Sequence, residues 1–262
     1  MTMTHSAVFS LNLMPSKRLE EDEPMNKGIF ITGTDTDSGK TIITAAIARG
    51  FKSMGLNTGV MKPIETGCQE RNGEMIPEDG LFLKDMADSP VAIEDIAPYR
   101  LQTPVAPSVA SRIEGREIGI EHILSTYKKL SDRHDIVIVE GIGGLLVPIT
   151  KHYFVSDLVK DLNVPLIVVA ANRLGVLNHT LLTVKAARMS GLDLTGVILN
   201  DTAPLPEDVS TQSNYSELKS VLDVPLLGHF PYVERPGKDA LGRIAAEYLD
   251  LQYLSSSLLG KH

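Results

Sequence analysis

The sequence has a single cysteine, no excess of positive charge and no long apolar run. Cys68 alone cannot form an intramolecular disulfide, which fits a reducing compartment, so we expect a cytoplasmic protein. The formal net charge of -8 argues against a nucleic-acid partner, because domains that bind phosphate backbones usually present a basic surface. No apolar stretch reaches the roughly 18 residues needed to cross a bilayer, so no membrane partner is expected either.

The composition suits one large domain preceded by a short extension. The 262 residues are 43% hydrophobic and 22% charged, which is enough for a well-buried core. Residues 1–24 lack sustained periodicity, and the basic pair Lys17 and Arg18 follows the apolar part instead of preceding it as in a secretory signal. We therefore predict a disordered extension at 1–24 and a single domain at 25–262, with Met25 as the true or an alternative start.

Short apolar runs alternate with helical patterns from Lys27 onward, which predicts an α/β fold. This alternation is typical of a mainly parallel sheet with helices on both faces, whose ligands bind beyond the carboxyl ends of the strands. The predicted strands are 28–33, 58–62, 135–140, 165–171, 194–200 and 225–229. The predicted helices are 40–54, 79–88, 117–131, 177–190, 211–222 and 237–249.

The segment GTDTDSGKT, residues 33–41, lies between the first predicted strand and the first predicted helix, where a phosphate-binding loop belongs. Five residues separate Gly33 from Gly39, whereas the usual pattern has four. Lys40 would bind terminal phosphates and the Thr41 hydroxyl would ligate magnesium. Ordinary capping of a helix is the alternative, but the buried strand before the loop favours a P-loop NTPase-like fold.

Charged residues at other predicted strand ends point to the same edge of the sheet. Lys62 ends the second strand, either as a solvated terminus or as a second ammonium group beside a transferring phosphate. Glu140 ends the β-branched run 136–139, and Gly141, Gly143 and Gly144 after it allow close backbone approach to a ligand. Thr41 and Glu140 suit Mg²⁺. Asp79 is either a third ligand or the N-cap of the helix at 79–88.

Together these motifs resemble the dethiobiotin synthetase family over about residues 27–250. The resemblance rests on the loop 33–41, on Lys62-Pro63, on 139–144, on 174–179 and on Asn200-Asp201. It implies ATP-dependent ring closure of 7,8-diaminononanoate with CO2 or bicarbonate, a step of biotin biosynthesis, with Mg²⁺ as the cofactor. The longer loop is typical of that family, in which it contacts both ATP and the second substrate.

The resemblance also implies a role for each matching residue. Lys62 and Lys40 would be catalytic, and Thr41, Asp79 and Glu140 would hold the metal. Thr36 and Thr66 would bind the diamine or its carbamate; Asp37 and Thr66 stand where the family often has Glu and Ser, which changes reach or bulk but not the chemical group. The implied ATP-binding residues are Asp37, Ser38, Gly39, Lys40, Thr41, Ile42, Asp79, Glu140, Gly141, Ile142, Gly143, Asn200, Asp201, Pro231, Tyr232 and Val233.

Family members are homodimers, and the resemblance extends to a segment that serves the partner subunit. In LGVLNHT, residues 174–180, Gly175 allows a turn, and free N–H groups at Val176, Leu177 and Asn178 would hold the carboxylate of the substrate. Tyr215 would complete that site. An ordinary glycine turn and helix cap is the alternative interpretation.

Two other classes of protein carry similar loops. ATPase switches of the ParA/MinD type have a lysine five residues before the loop lysine, where this chain has Asp35. Related amidoligases such as cobyrinic acid diamide synthase carry an added glutaminase domain with a catalytic cysteine, whereas Cys68 lies in the wrong part of this chain. The sequence therefore favours the synthetase over both.

Overall fold

The structure, a computed structural model, describes residues 27–204, 209–234 and 236–259. The predicted extension at 1–24 lies outside the described residues. The helices are α1 (Lys40–Ser53), α2 (Glu78–Met86), α3 (Ile93–Ile96), α4 (Pro107–Glu114), α5 (Ile120–Ser131), α6 (Val155–Leu162), α7 (Val176–Met189), α8 (Val209–Val221), α9 (Lys238–Tyr248) and α10 (Leu251–Leu259). None of the described helices is both long enough and apolar enough to cross a membrane.

Six strands form one sheet in the order β12-β11-β10-β1-β7-β2, and every neighbouring pair in it is parallel. Its strands are β1 (Gly28–Gly33), β2 (Thr58–Met61), β7 (Ile136–Gly144), β10 (Leu166–Ala171), β11 (Leu194–Asn200) and β12 (Leu226–Phe230). Three further strand pairs lie outside this sheet. They are β3 (Ile64–Thr66) with β6 (Tyr99–Leu101), β4 (Gln69–Arg71) with β5 (Glu74–Ile76), and β8 (Pro148–Thr150) with β9 (Tyr153–Phe154).

Alternate residues of the central strands pack against helices on opposite faces, as the period of two along a strand requires. Ile29 and Ile31 of β1 belong to a buried cluster with α1, α9 and α10, whereas Phe30 between them packs with α5 and α6 on the other face. Towards β11, Val168 and Leu199 pack against α7 and α8. The sheet is therefore buried on both faces, and its carboxyl edge is left for a ligand site.

The structure confirms the predicted α/β class with a mainly parallel sheet and helices on both faces. Each of the six predicted strands is present, but the strand predicted at 135–140 extends through the glycines to Gly144, which still pairs with Gly33 of β1. The helix predicted at 117–131 starts only at Ile120. The helices α3, α4, α6 and α10 and the three small strand pairs went unpredicted. Of these, α3 and the small strands are too short to show a period.

Candidate active site

A cleft of about 700 Å³ opens at the carboxyl ends of β1, β2, β7 and β11. Its walls include the phosphate loop, the start of α1, the start of α2 and the segment after β12. The lining residues are Thr36, Asp37, Gly39, Lys40, Thr41, Ile42, Lys62, Glu65, Thr66, Glu78, Asp79, Phe82, Glu140, Ile142, Gly143, Asn200, Asp201, Thr202, Pro231, Tyr232, Val233 and Pro236. The structure therefore brings together most of the residues that the sequence assigned to ATP and magnesium.

The phosphate loop ends in a glycine at a position where any side chain would be strained. Gly39 has a φ of 83°, and a Cβ atom built there would lie 2.0 Å from Nδ2 of Asn200. No side chain caps the N-terminus of α1. The first N–H groups of this helix and its dipole therefore remain available to an anion in the cleft.

Lys40, the first residue of α1, is 7% exposed, and its Nζ donates to the carbonyl oxygen of Asp35 at 3.2 Å. Burial, with the charge of Lys62 as the second cause, lowers the pKa of Lys40 from 10.5 to about 8. An anion bound in the cleft would pair with the ammonium group and so offset both the burial and the repulsion from Lys62. The site is therefore built to take negative charge.

Lys62 lies just beyond β2 and is 3% exposed, so the alternative of a solvated strand terminus is wrong. Its Nζ contacts three oxygen atoms: Oε1 of Glu140, Oδ2 of Asp79 at 3.1 Å and the carbonyl oxygen of Gly141 at 3.3 Å. Burial opposes the charge, but the two carboxylates outweigh it and raise the pKa of Lys62 above its usual value. Lys62 is therefore a fixed cation at the floor of the cleft.

Thr41, Glu140 and Asp79 surround the same part of the cleft, where a metal ion is implied. The hydroxyl of Thr41 donates to Oε1 of Glu140 at 2.8 Å. Oε2 of Glu140 is buried and has no hydrogen-bond partner among the described residues. Mg²⁺ prefers one or two carboxylates completed by water and phosphate oxygens, and an unpartnered carboxylate oxygen beside a threonine hydroxyl fits that preference.

Asp79 belongs to the first turn of α2 and does not cap it. The helix begins at Glu78 with Pro77 at the N-cap, so the alternative that Asp79 is an N-cap is wrong. The N–H of Asp79 donates to Glu65, and its carboxylate turns towards Lys62. The carboxylate is therefore free of the helix backbone and faces the cleft.

The other end of the cleft carries the amide of Asn200 and the carboxylate of Asp201. Nδ2 of Asn200 donates to the carbonyl oxygen of Ser38 at 2.9 Å, while its Oδ1 is buried and has no partner among the described residues. Asp201 beside it accepts from Nδ2 of Asn172 and contacts Nε2 of His229, both at 2.8 Å. Asn200 thus presents an unused acceptor, and Asp201 is held in place by two neighbours.

Some predicted site residues do not line the cleft. Ser38 is fully buried beneath the loop. Gly141 is needed for packing, because a Cβ there would lie 2.7 Å from the ring of Phe30, which corrects the expectation that this glycine admits a ligand. The segment 175–178 and Tyr215 also lie outside the cleft.

The start of α7 is at the surface. Gly175 has a φ of 92° and no side chain caps the helix, so its first N–H groups are available, as at α1. Leu174 is 81% exposed and Asn178 is exposed, whereas Val176 is buried. Tyr215 of α8 stacks on His229 with ring centroids 5.8 Å apart and packs in the same apolar cluster as Val176. These residues are neighbours, and none of them lines the cleft at the start of α1.

Sequence reasoning missed three polar residues at this edge: Glu65 and Asn172, which are buried, and His229, which is partly exposed. Glu65 lies between Lys62 and Thr66, both of which were singled out, so its position next to them was a usable signal. Asn172 follows β10 as Asn200 ends β11, and the position of a polar residue at a strand end was the corresponding signal. His229 carried none, because it lies within the short strand β12.

Comparison with known proteins gives the family. The family model for the AAA domain matches residues 27–238. An ATP-dependent dethiobiotin synthetase of Thermodesulfovibrio yellowstonii is 43% identical over 88% of this chain and 100% of its own length. The corresponding synthetase of Bacillus subtilis is 35% identical over 88% of this chain and 99% of its own length.

Two solved structures share the fold. The septum site-determining protein MinD of Pyrococcus horikoshii, solved with Mg-ADP, superposes with a TM-score of 0.52 at 16% identity, covering 85% of this chain and 96% of that chain. A ParA family ATPase of Chlorobium tepidum superposes with a TM-score of 0.50 at 13% identity, covering 90% and 94%. At such identities these structures show a P-loop NTPase fold and no more. The family model shows that the chain carries an AAA domain. Because both synthetases match this chain along almost their whole length, the chain belongs to the ATP-dependent dethiobiotin synthetase family.

Proposed function

We propose that this chain is a ligase that forms C–N bonds, closing 7,8-diaminononanoate and CO2 into dethiobiotin at the expense of ATP in biotin biosynthesis. One observation carries the proposal: 43% identity to a dethiobiotin synthetase over that relative's whole length. The alternative of a ParA/MinD switch has only the shared fold in its favour, and the fold does not specify an activity.

The reaction divides into three steps. One amine of the substrate attacks CO2 and loses a proton, which gives a carbamate. An oxygen of the carbamate takes the terminal phosphoryl group of ATP, and ADP leaves. The second amine then attacks the carbonyl carbon and loses a proton, the ring closes, and phosphate departs. No covalent bond to the enzyme is required, so catalysis consists of positioning and charge stabilisation.

Lys40 and Lys62 supply the positive charge for these steps. In our proposal Lys40 binds the terminal phosphates at the start of α1, and Lys62 stabilises charge on the transferring phosphoryl group and the carbamate. The burial of both residues supports this, because a charge-stabilising group acts most strongly where water is excluded. The contacts that hold Lys62 keep it oriented before the substrates arrive.

We further propose that Thr41, Glu140 and Asp79 hold Mg²⁺ together with the phosphates of ATP. The ion would neutralise negative charge on the phosphate oxygens. The unpartnered Oε2 of Glu140 and the exposed side of Asp79 supply the oxygen ligands on this chain.

The remaining contacts follow from the walls of the cleft. Oδ1 of Asn200 is an unpaired acceptor, which complements the amino group of adenine, with Asp201 beside it. Thr36 and Thr66 lie on the same cleft as Lys62 and are proposed to bind the diamine or its carbamate. The other proposed ATP contacts are Asp37, Gly39, Ile42, Ile142, Gly143, Pro231, Tyr232 and Val233, which line the cleft, and Ser38, which lies behind it.

We also propose a homodimer in which Gly175, Val176, Leu177, Asn178 and Tyr215 serve the partner's active site. The exposed and uncapped start of α7, outside the cleft of its own chain, supports this. Mixing two inactive variants, Lys62→Met and Gly175→Glu, tests it. After free exchange half of the dimers are mixed and half of their sites are intact, so roughly a quarter of wild-type activity should return. Failure to regain activity after exchange would place the site within one chain.

The activity itself is tested by incubating the protein with 7,8-diaminononanoate, bicarbonate and ATP-Mg²⁺ and detecting dethiobiotin by mass spectrometry. The synthetase should release phosphate only when the diamine is present, in equal amounts with the ring product. A switch ATPase would ignore the diamine. Folded protein that forms no ring product would refute the proposed function.

A further inference from the structure

Glu65 is a buried carboxylate whose oxygens are both bonded to the start of another element. It belongs to β3 and is 6% exposed. Oε1 accepts the backbone N–H of Asp79 at 3.0 Å, and Oε2 accepts that of Gly80 at 2.9 Å. The side chain therefore joins β3 to the first turn of α2.

These two N–H groups are the ones that a local N-cap would bind. Pro77 occupies the N-cap of α2 and makes no side-chain cap hydrogen bond. Glu65 satisfies the orphan donors from 14 and 15 residues earlier in the chain, and its charge is favourable at the positive end of the helix dipole. A local cap would stabilise α2 equally, but it would not fix where the helix begins relative to β3.

The start of α2 is packed tightly as well as bonded. A Cβ atom at Gly80 would lie 2.9 Å from Cβ of Ala97, the C-cap residue of α3. Between Glu65 on one side and Ala97 on the other, the first turn has little room to shift. Asp79 lies in this turn, and its Oδ2 is 3.1 Å from Nζ of Lys62.

We propose that Glu65 is a positioning residue, which holds the first turn of α2 against β3 so that the carboxylate of Asp79 faces Lys62 and a nucleotide-bound divalent cation. The inference rests on the proposed function in one respect, the role of Asp79 as a ligand of that cation. Among the described residues, the carboxylate of Glu65 accepts hydrogen bonds only from two backbone N–H groups, those of Asp79 and Gly80. Its effect on the cation passes through the turn that carries Asp79.

The substitution Glu65→Gln tests this with little change in volume. Glutamine keeps one acceptor oxygen but turns an amide N–H₂ towards the second backbone N–H, so one of the two bonds is lost. We expect the affinity for ADP, measured by calorimetry in the presence of Mg²⁺, to fall about fivefold or more, which corresponds to about 1 kcal/mol. In EDTA the affinity for ADP should equal that of the wild type. Glu70→Gln, in the neighbouring exposed strand β4, is the matched control and should change neither value.

A double-substitution cycle asks whether Glu65 acts through Asp79. In an Asp79→Asn background, Glu65→Gln should have no further effect on the Mg²⁺-dependent part of the ADP affinity, since the ligand it positions is already gone. An equal loss with and without the Asp79 carboxylate would overturn the proposal. The proposal would also be overturned if the wild-type protein bound ADP with the same affinity in Mg²⁺ and in EDTA.

A local cap separates positioning from stability. Pro77→Ser places an N-cap hydroxyl beside the same N–H groups, so in the Glu65→Gln background it should restore the melting temperature and recover folding if Glu65→Gln alone folds poorly. The loss of Mg²⁺-dependent ADP affinity should persist. If that affinity returns with the cap, Glu65 only stabilises the helix. Because this experiment measures nucleotide binding, its outcome can be distinguished from a failure of the protein to form dethiobiotin.

Discussion

Two helices of this protein begin in the same way and in opposite surroundings. Both α1 and α7 follow a strand of the sheet, start after a glycine with positive φ, at Gly39 and Gly175, and have no side-chain cap. A cation lies near each start: Lys62 near α1 and Arg173 near α7. By local chemistry, each is an anion site.

The surroundings separate the two helix starts. Lys62 is buried between carboxylates in the cleft, whereas Arg173 is half exposed and reaches across to Oδ2 of Asp35 at 3.0 Å. Gly39 abuts Asn200, but a side chain at Gly175 would meet only His179, at 3.9 Å. The start of α1 therefore opens into a cleft lined by residues of its own chain, while the start of α7 is largely exposed and lies outside that cleft. An uncapped helix N-terminus attracts an anion more strongly where burial lowers the local dielectric, as it does around the start of α1.

Replacing the cation that is buried near α1 should have the largest effect. Lys62→Met is expected to lower kcat by about a hundredfold or more, because a preorganised charge in a dry site is removed. Stability should also fall by about 3 kcal/mol, since Glu140 is left buried without its partner. Steady-state kinetics and urea unfolding measure the two effects. Lys128→Met, at an exposed ion pair on α5, is the control. Near-normal turnover in Lys62→Met would show that the α1 site does not depend on this cation.

A side chain at Gly39 should have the next largest effect. Gly39→Ala combines a backbone conformation that alanine resists with a collision against Asn200, so we expect a stability loss of about 1 to 3 kcal/mol. Binding of ATP should fall with it, because the loop must move to relieve the collision. Calorimetry with ATP and thermal unfolding check this. Unchanged ATP affinity would mean that the loop tolerates the shift.

The same substitution at the other helix start should be milder. Gly175→Ala meets no close atom, so only the positive φ opposes it, at a cost of about 1 kcal/mol. ATP affinity should be unchanged, in contrast with Gly39→Ala, while the KM for the diamine should rise if the partner uses this turn. A fall in ATP affinity equal to that of Gly39→Ala would remove the distinction between the two helix starts.

The exposed ion pair that joins the two segments should matter least. Arg173 and Asp35 are each about half exposed, so Arg173→Gln is expected to cost about 0 to 1 kcal/mol. Thermal unfolding should show a small decrease that shrinks at 1 M salt, because exposed charges are screened. A large decrease that persists in salt would indicate a structural role for Arg173 beyond this pair.

The site was predictable where chemistry is local in the sequence. The loop 33–41, Lys62 and Glu140 follow buried strands directly, and parallel strands of one sheet end at a common edge, so they were expected to meet. Glu65 was not predicted, because its partners lie 14 and 15 residues away across a hairpin. Asp79 was ambiguous because the sequence does not fix the residue at which α2 begins: the position of Pro77 at the N-cap decides that the carboxylate of Asp79 is free.

The α/β alternation, the phosphate loop and the charged residues at the strand ends could be predicted from the sequence, since they depend on periodicity and on short motifs. The burial of Lys62 among three oxygens, the packing of Gly141 against Phe30, and the opening of α1 into a cleft and of α7 to the surface became apparent only in the folded protein. The physical reason is that burial and ion pairing depend on atoms from distant parts of the chain. The two helix starts at Gly39 and Gly175, which are alike in backbone conformation, therefore acquire different properties only after folding.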